Sequence, residues 1–292
     1  MANTIELAKK YIPMLDEVYK NASLTAVLDG ASELAQQGAN ANELIIPMLD
    51  MQALGDYDRN SGYVQGNVTM TNETVKCNFD RGRMFSVDAM DNEETAGLAF
   101  GRLAGEFIRT KVVPELDAFR FASYCGKSGI TKKQEDLADG AAIVKALRVA
   151  TNTLDEAEVP MEDRYLFITP TLKGMIDDLD TTKSREVLAR FAAVVLVPQT
   201  RFYTAIDQKD GKTGGQEAGG FAKAASGGAG LNFMVFHKGA VIQFDKHVAP
   251  KIIEPASNPD ADAWKYGYRN VGIADVYKNK VAGIYASHKT AG

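Results

Sequence analysis

Cysteine, histidine and long apolar runs are all scarce in this chain, and each scarcity removes a class of function. The two cysteines, Cys77 and Cys125, offer no set of paired spacings. They read as reduced thiols rather than a disulfide framework. The three histidines, His237, His247 and His288, do not pair at metal-ligand spacing, so no metal or cofactor is expected. No stretch approaches the ~18 apolar residues of a membrane span. The opening Met1–Pro13 holds no apolar run long enough for a signal peptide, which points to a chain made in a cytoplasm. Positive charge is also short, with 33 Lys and Arg against 38 Asp and Glu and a net charge of −5. A surface that wraps nucleic acid needs clustered positive charge, and none is present.

Catalytic signatures are missing as well. Gly211-Lys212-Thr213 resembles the end of a phosphate-binding loop, but Ile206 occupies the position of the required first glycine. Gly214-Gly215 follows where a helix should begin. Asp177, Asp178 and Asp180 read as the wet end of a helix, and Asp260 and Asp262 lack the further ligands and glycine of a calcium loop. Ser226-Gly-Gly sits in a glycine-dense segment rather than a nucleophile elbow. No set of polar residues suggests an active centre, so the chain is not expected to be an enzyme.

What is present is an ordinary globular composition, 45% hydrophobic and 24% charged over 292 residues, enough for a sizeable core. The first 40 residues look like helical pieces, with Ile5, Ala8, Ile12, Leu15 and Tyr19 at helical spacing and Leu24, Val27 and Leu28 in a second short piece. Between Asp50 and Val87 lies a polar arm of strand-like sequence. Val75, Cys77 and Phe79 alternate with Thr74, Lys76, Asn78 and Asp80, and Val64, Gly66, Val68 and Met70 share a face earlier on. Turn chemistry near Gly55-Asp56 and Asn60-Ser61-Gly62 makes the arm a hairpin. Two isolated strands are marginal in water, so the arm needs support from elsewhere, most simply from another copy of the chain.

A long helix is expected from Asn92 to Val113, capped by Asp91 or Asn92 and limited or kinked at Pro114. It would be about 33 Å long. Gly97, Gly101 and Gly105 form a bare ridge on it. Each glycine costs up to ~1 kcal/mol against alanine, so close packing, within the chain or between subunits, is the expected reason. After a helix-rich stretch to Glu156 come a turn at Val159–Arg164, a strand at Tyr165–Thr169, a helix opened by Pro170 and a strand at Ala193–Val197. The glycine-dense Asp207–Gly230 reads as a long flexible loop. Strands follow at Asn232–Phe236, Ala240–Phe244 and Lys251–Glu254, and a closing hairpin pairs Trp264–Val276 with Lys280–Ser287.

This order of parts resembles the major capsid proteins of tailed bacteriophages, the HK-ninety-seven-type fold shared with encapsulin shells. The resemblance spans nearly the whole chain. Its local pieces are Val159-Pro-Met-Glu-Asp-Arg-Tyr-Leu-Phe-Ile-Thr-Pro170 and the stretch from Trp264-Lys-Tyr-Gly-Tyr-Arg269 to Lys280-Val-Ala-Gly-Ile-Tyr285. It implies an α+β fold with an N-terminal arm at 1–49 and an extended hairpin loop at 50–88. A peripheral domain would comprise 89–138 and 239–267, with its spine helix at 92–113. An axial domain would comprise 139–238 and 268–292, its loop at 207–230 lying near the capsomer centre, while Gln243–Lys265 would approach the threefold axes.

The resemblance further implies a self-assembling shell of hexamers and pentamers that encloses double-stranded DNA without reading its sequence. Assembly in a bacterial cytoplasm, residence in the virion and a portal as partner also follow from it, with room for a decoration protein. Some members begin with a long cleaved extension, whereas here the fold is expected to start within the first residues, so a separate scaffolding protein is expected as helper. Subunit contacts are then expected at Tyr57, Arg59, Tyr63, Val68, Met70, Lys76, Arg81 and Arg83 on the arm. Others are expected at Gly97, Gly101 and Gly105 on the helix, at Lys212 in the glycine-dense loop, and at Lys251 and Trp264. Lys76 is placed on the arm where some relatives form an isopeptide crosslink, but no partner asparagine or acid stands out, so none is expected. An encapsulin-like shell around a protein cargo is the nearest alternative. A soluble α/β enzyme or ligand-binding protein with a glycine-rich lid is a third.

Overall fold

In the computed structural model, residues 23–30, 36–37, 43–60, 62–90, 98–179 and 181–290 are described. The helical pieces read at Ile5–Tyr19, the caps Asp91 and Asn92, and Gly97 lie outside them. The thirteen strands among the described residues gather into four sheets.

The first sheet is the arm. Strand β2 (Glu43–Met51) pairs antiparallel with β3 (Val68–Lys76), from Glu43 opposite Lys76 to Met51 opposite Val68. Among the described residues the short β1 (Gln36–Gln37) pairs only with Leu44 and Ile45 of β2, so Pro47 lies on an edge strand, where proline is tolerated. The hairpin therefore differs from the one read in the sequence. Residues 63–67 lie in the tip, and the partner of 68–76 is the stretch 43–51, which carries a proline and was not read as a strand. The alternation of Val75, Cys77 and Phe79 does hold: Val75 and Phe79 are buried, Cys77 is half-buried, and Thr74 and Lys76 are exposed.

The chain turns at Cys77-Asn78 into β4 (Phe79–Asp88), which joins a second sheet in the order β11-β12-β4. Strands β11 (Val241–Ile253) and β12 (Ala263–Val276) are long and antiparallel, with a bulge between Asp245 and His247. The two strands expected at Ala240–Phe244 and Lys251–Glu254 are thus one strand that runs through Pro250. Proline is tolerated there because β11 is an edge strand. The 267/268 boundary drawn from the resemblance falls inside β12.

Against this sheet lies a helix in three parts: α1 (Leu98–Phe107), a π turn (Ile108–Val112) and α2 (Val113–Gly126). The expected end at Val113 is corrected, because the helix continues past Pro114 by 12 residues to Gly126. The π turn loosens the ladder just before the proline, which then sits in the first turn of α2 where its missing N–H costs little. Ile108, Val113 and Leu116 pack on Phe79, Tyr266 and Tyr268, with Phe85, Phe107 and Trp264 around them.

The third sheet, in the order β5-β13-β10-β6-β7, is the body. It comprises β5 (Thr131–Gln134), β6 (Arg164–Ile168), β7 (Ala193–Leu196), β10 (Leu231–His237) and β13 (Ile284–His288). Strand β10 is apolar on both sides because both faces are covered. Phe233 and Val235 face α3 (Gly140–Glu156), α4 (Pro170–Asp177) and α5 (Thr182–Leu188), while Met234 and Phe236 face Phe121 and Tyr124 of α2. The expected closing hairpin does not form. β12 pairs with β11 and β4, whereas β13 pairs with β10 and β5. A 3-10 segment, Lys278–Gly283, carries the chain from one sheet to the other. The fourth sheet is a small hairpin of β8 (Ile206–Gln208) and β9 (Phe221–Lys223) inside the glycine-dense segment.

Candidate subunit-contact surface

The arm carries apolar side chains that the rest of the chain leaves uncovered. Met51, Leu54, Tyr57, Tyr63, Val64, Val68 and Met70 are all exposed, Tyr63 by 88% and Val64 by 71%. Scattered exposed apolar residues are normal, but seven within 20 consecutive positions are a patch. The rings of Tyr57 and Tyr63 sit 4.9 Å apart across the tip. An Asp58–Gly62 bridge closes that tip, and Gly62, at φ +79°, adopts a conformation that suits glycine. Arg59 is exposed between them. Lys76, at the base of the hairpin, is 3.7 Å from Glu43 and remains open to solvent.

The other expected contact residues divide. Gly101 and Gly105 lie in α1, and a Cβ placed on Gly105 would meet nothing within 4 Å. Lys212 and Lys251 are exposed. Trp264, by contrast, packs into the chain's own helix-on-sheet core. Arg81 is likewise committed internally: its Nε donates to Glu115 at 2.8 Å and its Nη2 to the Lys209 carbonyl at 2.7 Å. Arg83 donates to the Glu217 carbonyl at 3.0 Å. Burial pushes the Glu115 carboxyl upward, with Arg81 opposing the shift.

The glycine-dense segment is also built rather than loose. Asp210 accepts from the amides of Lys212 and Thr213 at 2.8 and 2.9 Å and from the Thr213 hydroxyl. The Thr213 hydroxyl and these amides hold the Asp210 carboxyl down at about 2. Asp207 accepts from the Ala225 amide, tying the far end of the segment.

A buried polar network, not anticipated from the sequence, fixes the segment before the arm. Asp117 of α2, fully buried, accepts from Ser23 Oγ at 3.0 Å, the Leu24 and Thr25 amides at 3.1 and 3.3 Å, and Thr25 Oγ1 at 2.8 Å. It thereby caps the 3-10 turn Leu24–Leu28 from another element, with Arg201 3.1 Å away supplying charge balance. Arg120, one helical turn on, bonds Thr25 and forks onto both oxygens of Asp245. Tyr124 donates to Gln243, which donates to the Thr25 carbonyl and to Asp29. The readable signal was two charged residues, Asp117 and Arg120, on the same helix face as Phe121 and Tyr124.

Arg164 plays a similar part in the Val159–Pro170 stretch. It is buried, donates to Asp155 at 2.7 Å and to the Pro160 and Val159 carbonyls at 2.8 and 2.5 Å, and so holds the turn before β6. Glu158 and Asp163, both at φ 55°, bracket that turn.

A cavity of about 510 Å³ opens between α4, the loop at Asp136–Ala138 and Lys289. Among the described residues no group of three His, Cys, Asp or Glu side chains could hold a metal ion. No described helix is long and apolar enough to cross a membrane.

No protein-family model matches the sequence, and no curated relative matches it. The fold does have neighbours. A protein of Gordonia phage Cozz matches at a TM-score of 0.61 and 13% identity, covering 92% of this chain and 87% of that one. The mature capsid of bacteriophage PhiM1 matches at 0.59 and 11% identity, covering 89% and 84%. This is the tailed-phage capsid fold. A virus-like particle from Pyrococcus furiosus matches at 0.58 and 11% identity, covering 96% of this chain and 98% of that one. The match runs over most of this chain and most of each neighbour. The seven exposed apolar residues of the arm all lie on β2, β3 or the turn between them.

Proposed function

We propose that this chain is the repeating subunit of an icosahedral phage head. Copies assemble into hexamers and pentamers through contacts in which the arm of one subunit lies on the next. The observation that carries this reading is the run of seven apolar side chains on the arm, each at least 60% exposed, within a capsid fold. Apolar surface removed from water contributes ~25 cal/mol per Å², and a specific contact of ordinary size buries ~1,600 Å² in total. Weak contacts repeated around a closed ring and across a shell sum to a stable container. The net charge of −5 suits a container whose wall does not adhere to packaged double-stranded DNA.

On this reading the β11-β12-β4 sheet with its helix is the peripheral part and the five-stranded sheet is the axial part. A scaffolding protein and a portal are the expected partners, and the virion is where the chain resides. No catalytic role is assigned.

Electron microscopy of the purified chain, alone and with a co-expressed scaffold, tests the proposal. Closed shells of uniform size are expected, and a chain that stays monomeric under every such condition defeats it. Replacing residues 53–66 with a two-residue Asn-Gly turn keeps the β2–β3 ladder and removes the tip. That variant is expected to fold yet fail to form shells. The absorbance ratio of nuclease-treated particles separates a genome container from a protein-cargo compartment.

A further inference from the structure

Arg81 and Arg83 stand two residues apart on the face of β4 that carries Phe79 and Phe85, and both reach out of the sheet into the glycine-dense loop. Arg81 grips the neck of that loop. Its Nη2 contacts the carbonyls of Lys209 and Gly220, the pair that closes the neck through the Lys209 amide at 2.8 Å, while its Nε is held by Glu115 of α2. Arg83 enters the loop itself. A Cβ on Gly219 would stand 3.0 Å from Arg83 Nη1, and one on Gly211 would stand 3.3 Å from it. Both glycines have positive φ, +66° and +72°. Glycine is thus suited to both positions twice over, by its left-handed backbone and by the room it leaves for the guanidinium.

We propose that Arg81 and Arg83 form a clasp coupling the root of the arm to the 209–220 loop, so that the loop takes its position from β4. The coupling rests on the reading of the arm as a subunit contact: β4 continues directly from the hairpin through Cys77-Asn78, so seating the arm on a neighbour biases the loop. Linkage is reciprocal, and whatever fixes the loop also biases the arm.

Hydrogen exchange of the full-length subunit, read by mass spectrometry, tests the clasp without requiring assembly. The peptide covering 209–220 reports the loop, and the buried strand 231–237 is the internal control. In the Arg81→Ala/Arg83→Ala variant, loop exchange is expected to rise about tenfold or more, because several charge-assisted bonds are lost. Arg83→Lys keeps the charge without the planar fork and should fall between that variant and the parent chain. An unchanged control strand separates loop release from misfolding. Loop exchange within about twofold of the parent overturns the clasp. Should the control strand also accelerate, Arg83→Ala alone replaces the double variant: it leaves Arg81 on Glu115 and the Lys209 carbonyl and removes only the bond to the Glu217 carbonyl. It is expected to speed loop exchange, and no change there overturns the clasp equally.

In assembled particles, loop exchange is expected to shift on assembly for the parent chain and not for the double variant. An equal shift in both refutes the coupling. A parent chain that never assembles but shows the free-subunit effect defeats the shell reading and leaves the clasp standing.

Discussion

Truncating the two tip tyrosines, Tyr57→Ala with Tyr63→Ala, should weaken assembly without weakening the subunit. Their rings are 60% and 88% exposed and touch each other rather than any buried cluster. In the free subunit the only loss is the pair contact, worth ~1 kcal/mol at most and confined to the tip. In an assembled shell each ring has ~100 Å² of apolar surface to bury, about 2.5 kcal/mol apiece at ~25 cal/mol per Å². Ordering of the tip offsets about half of the combined ~5 kcal/mol. The remaining ~2.5 kcal/mol raises the subunit concentration needed for shell formation by roughly 50- to 100-fold. Sedimentation of assembled particles across a dilution series reads that threshold. Fluorescence of the single tryptophan, Trp264, which lies in the helix-on-sheet core, reads subunit stability in the same samples. A threshold within threefold of the parent refutes the view that the tip is covered on assembly. So would a fall of several degrees in the subunit's melting temperature, because the tip would then be part of the fold.

Other consequences are as direct. Asp117→Ala removes a buried carboxylate that satisfies four donors from Ser23–Thr25 and balances Arg201. It should destabilise the subunit by ~3–5 kcal/mol. At ~3 kcal/mol per M this lowers the urea midpoint by more than 1 M; a shift below about 0.3 M contradicts the capping role. Burial pushes the Cys125 thiol up to about 11. At pH 8 a thiol reagent should therefore modify Cys77 alone until the chain unfolds, and two equally fast thiols would rule this out. Asp210, held at about 2, has a folded pKa below that of an unfolded aspartate. Its support of the 210–213 turn is thus present above roughly pH 4 and disappears as pH falls through about 2. Carboxyl NMR should place its midpoint near 2, and a midpoint near 4 would remove the turn's hydrogen bonds as its cause.

Much of the body was legible because its signals are local. Pro170 opens α4 at the end of a buried strand, and the unbroken apolar run of β10 announces a strand covered on both faces. The arm's inner alternation, Val75 to Phe79, was equally plain. Pairing was harder to read. The strand Glu43–Met51 contains Pro47 and meets a partner some 25 positions away, and no local period encodes that register. The supposed closing hairpin failed for the same reason, since β12 and β13 are neighbours in sequence but belong to different sheets. Glycine content suggested a floppy segment at 207–230, whereas two of those glycines make room for an arginine from β4. Contact residues read from the arm's apolar character are on the surface. Trp264 and Arg81 are half-buried and also make contacts within the chain, because an aromatic or a cation serves an internal contact as readily as an external one.

The open edge of β11 has a bearing on failure as well as on assembly. β11 is paired with β12 along one side, and among the described residues its other edge has no partner strand, so a long straight edge there would be a template for stacking. The bulge beside Asp245 twists the edge, and Pro250 removes a donor from the strand. One bend and one missing N–H discourage side-by-side stacking of these edges, so the sheet guards itself against the commonest way a long strand goes wrong.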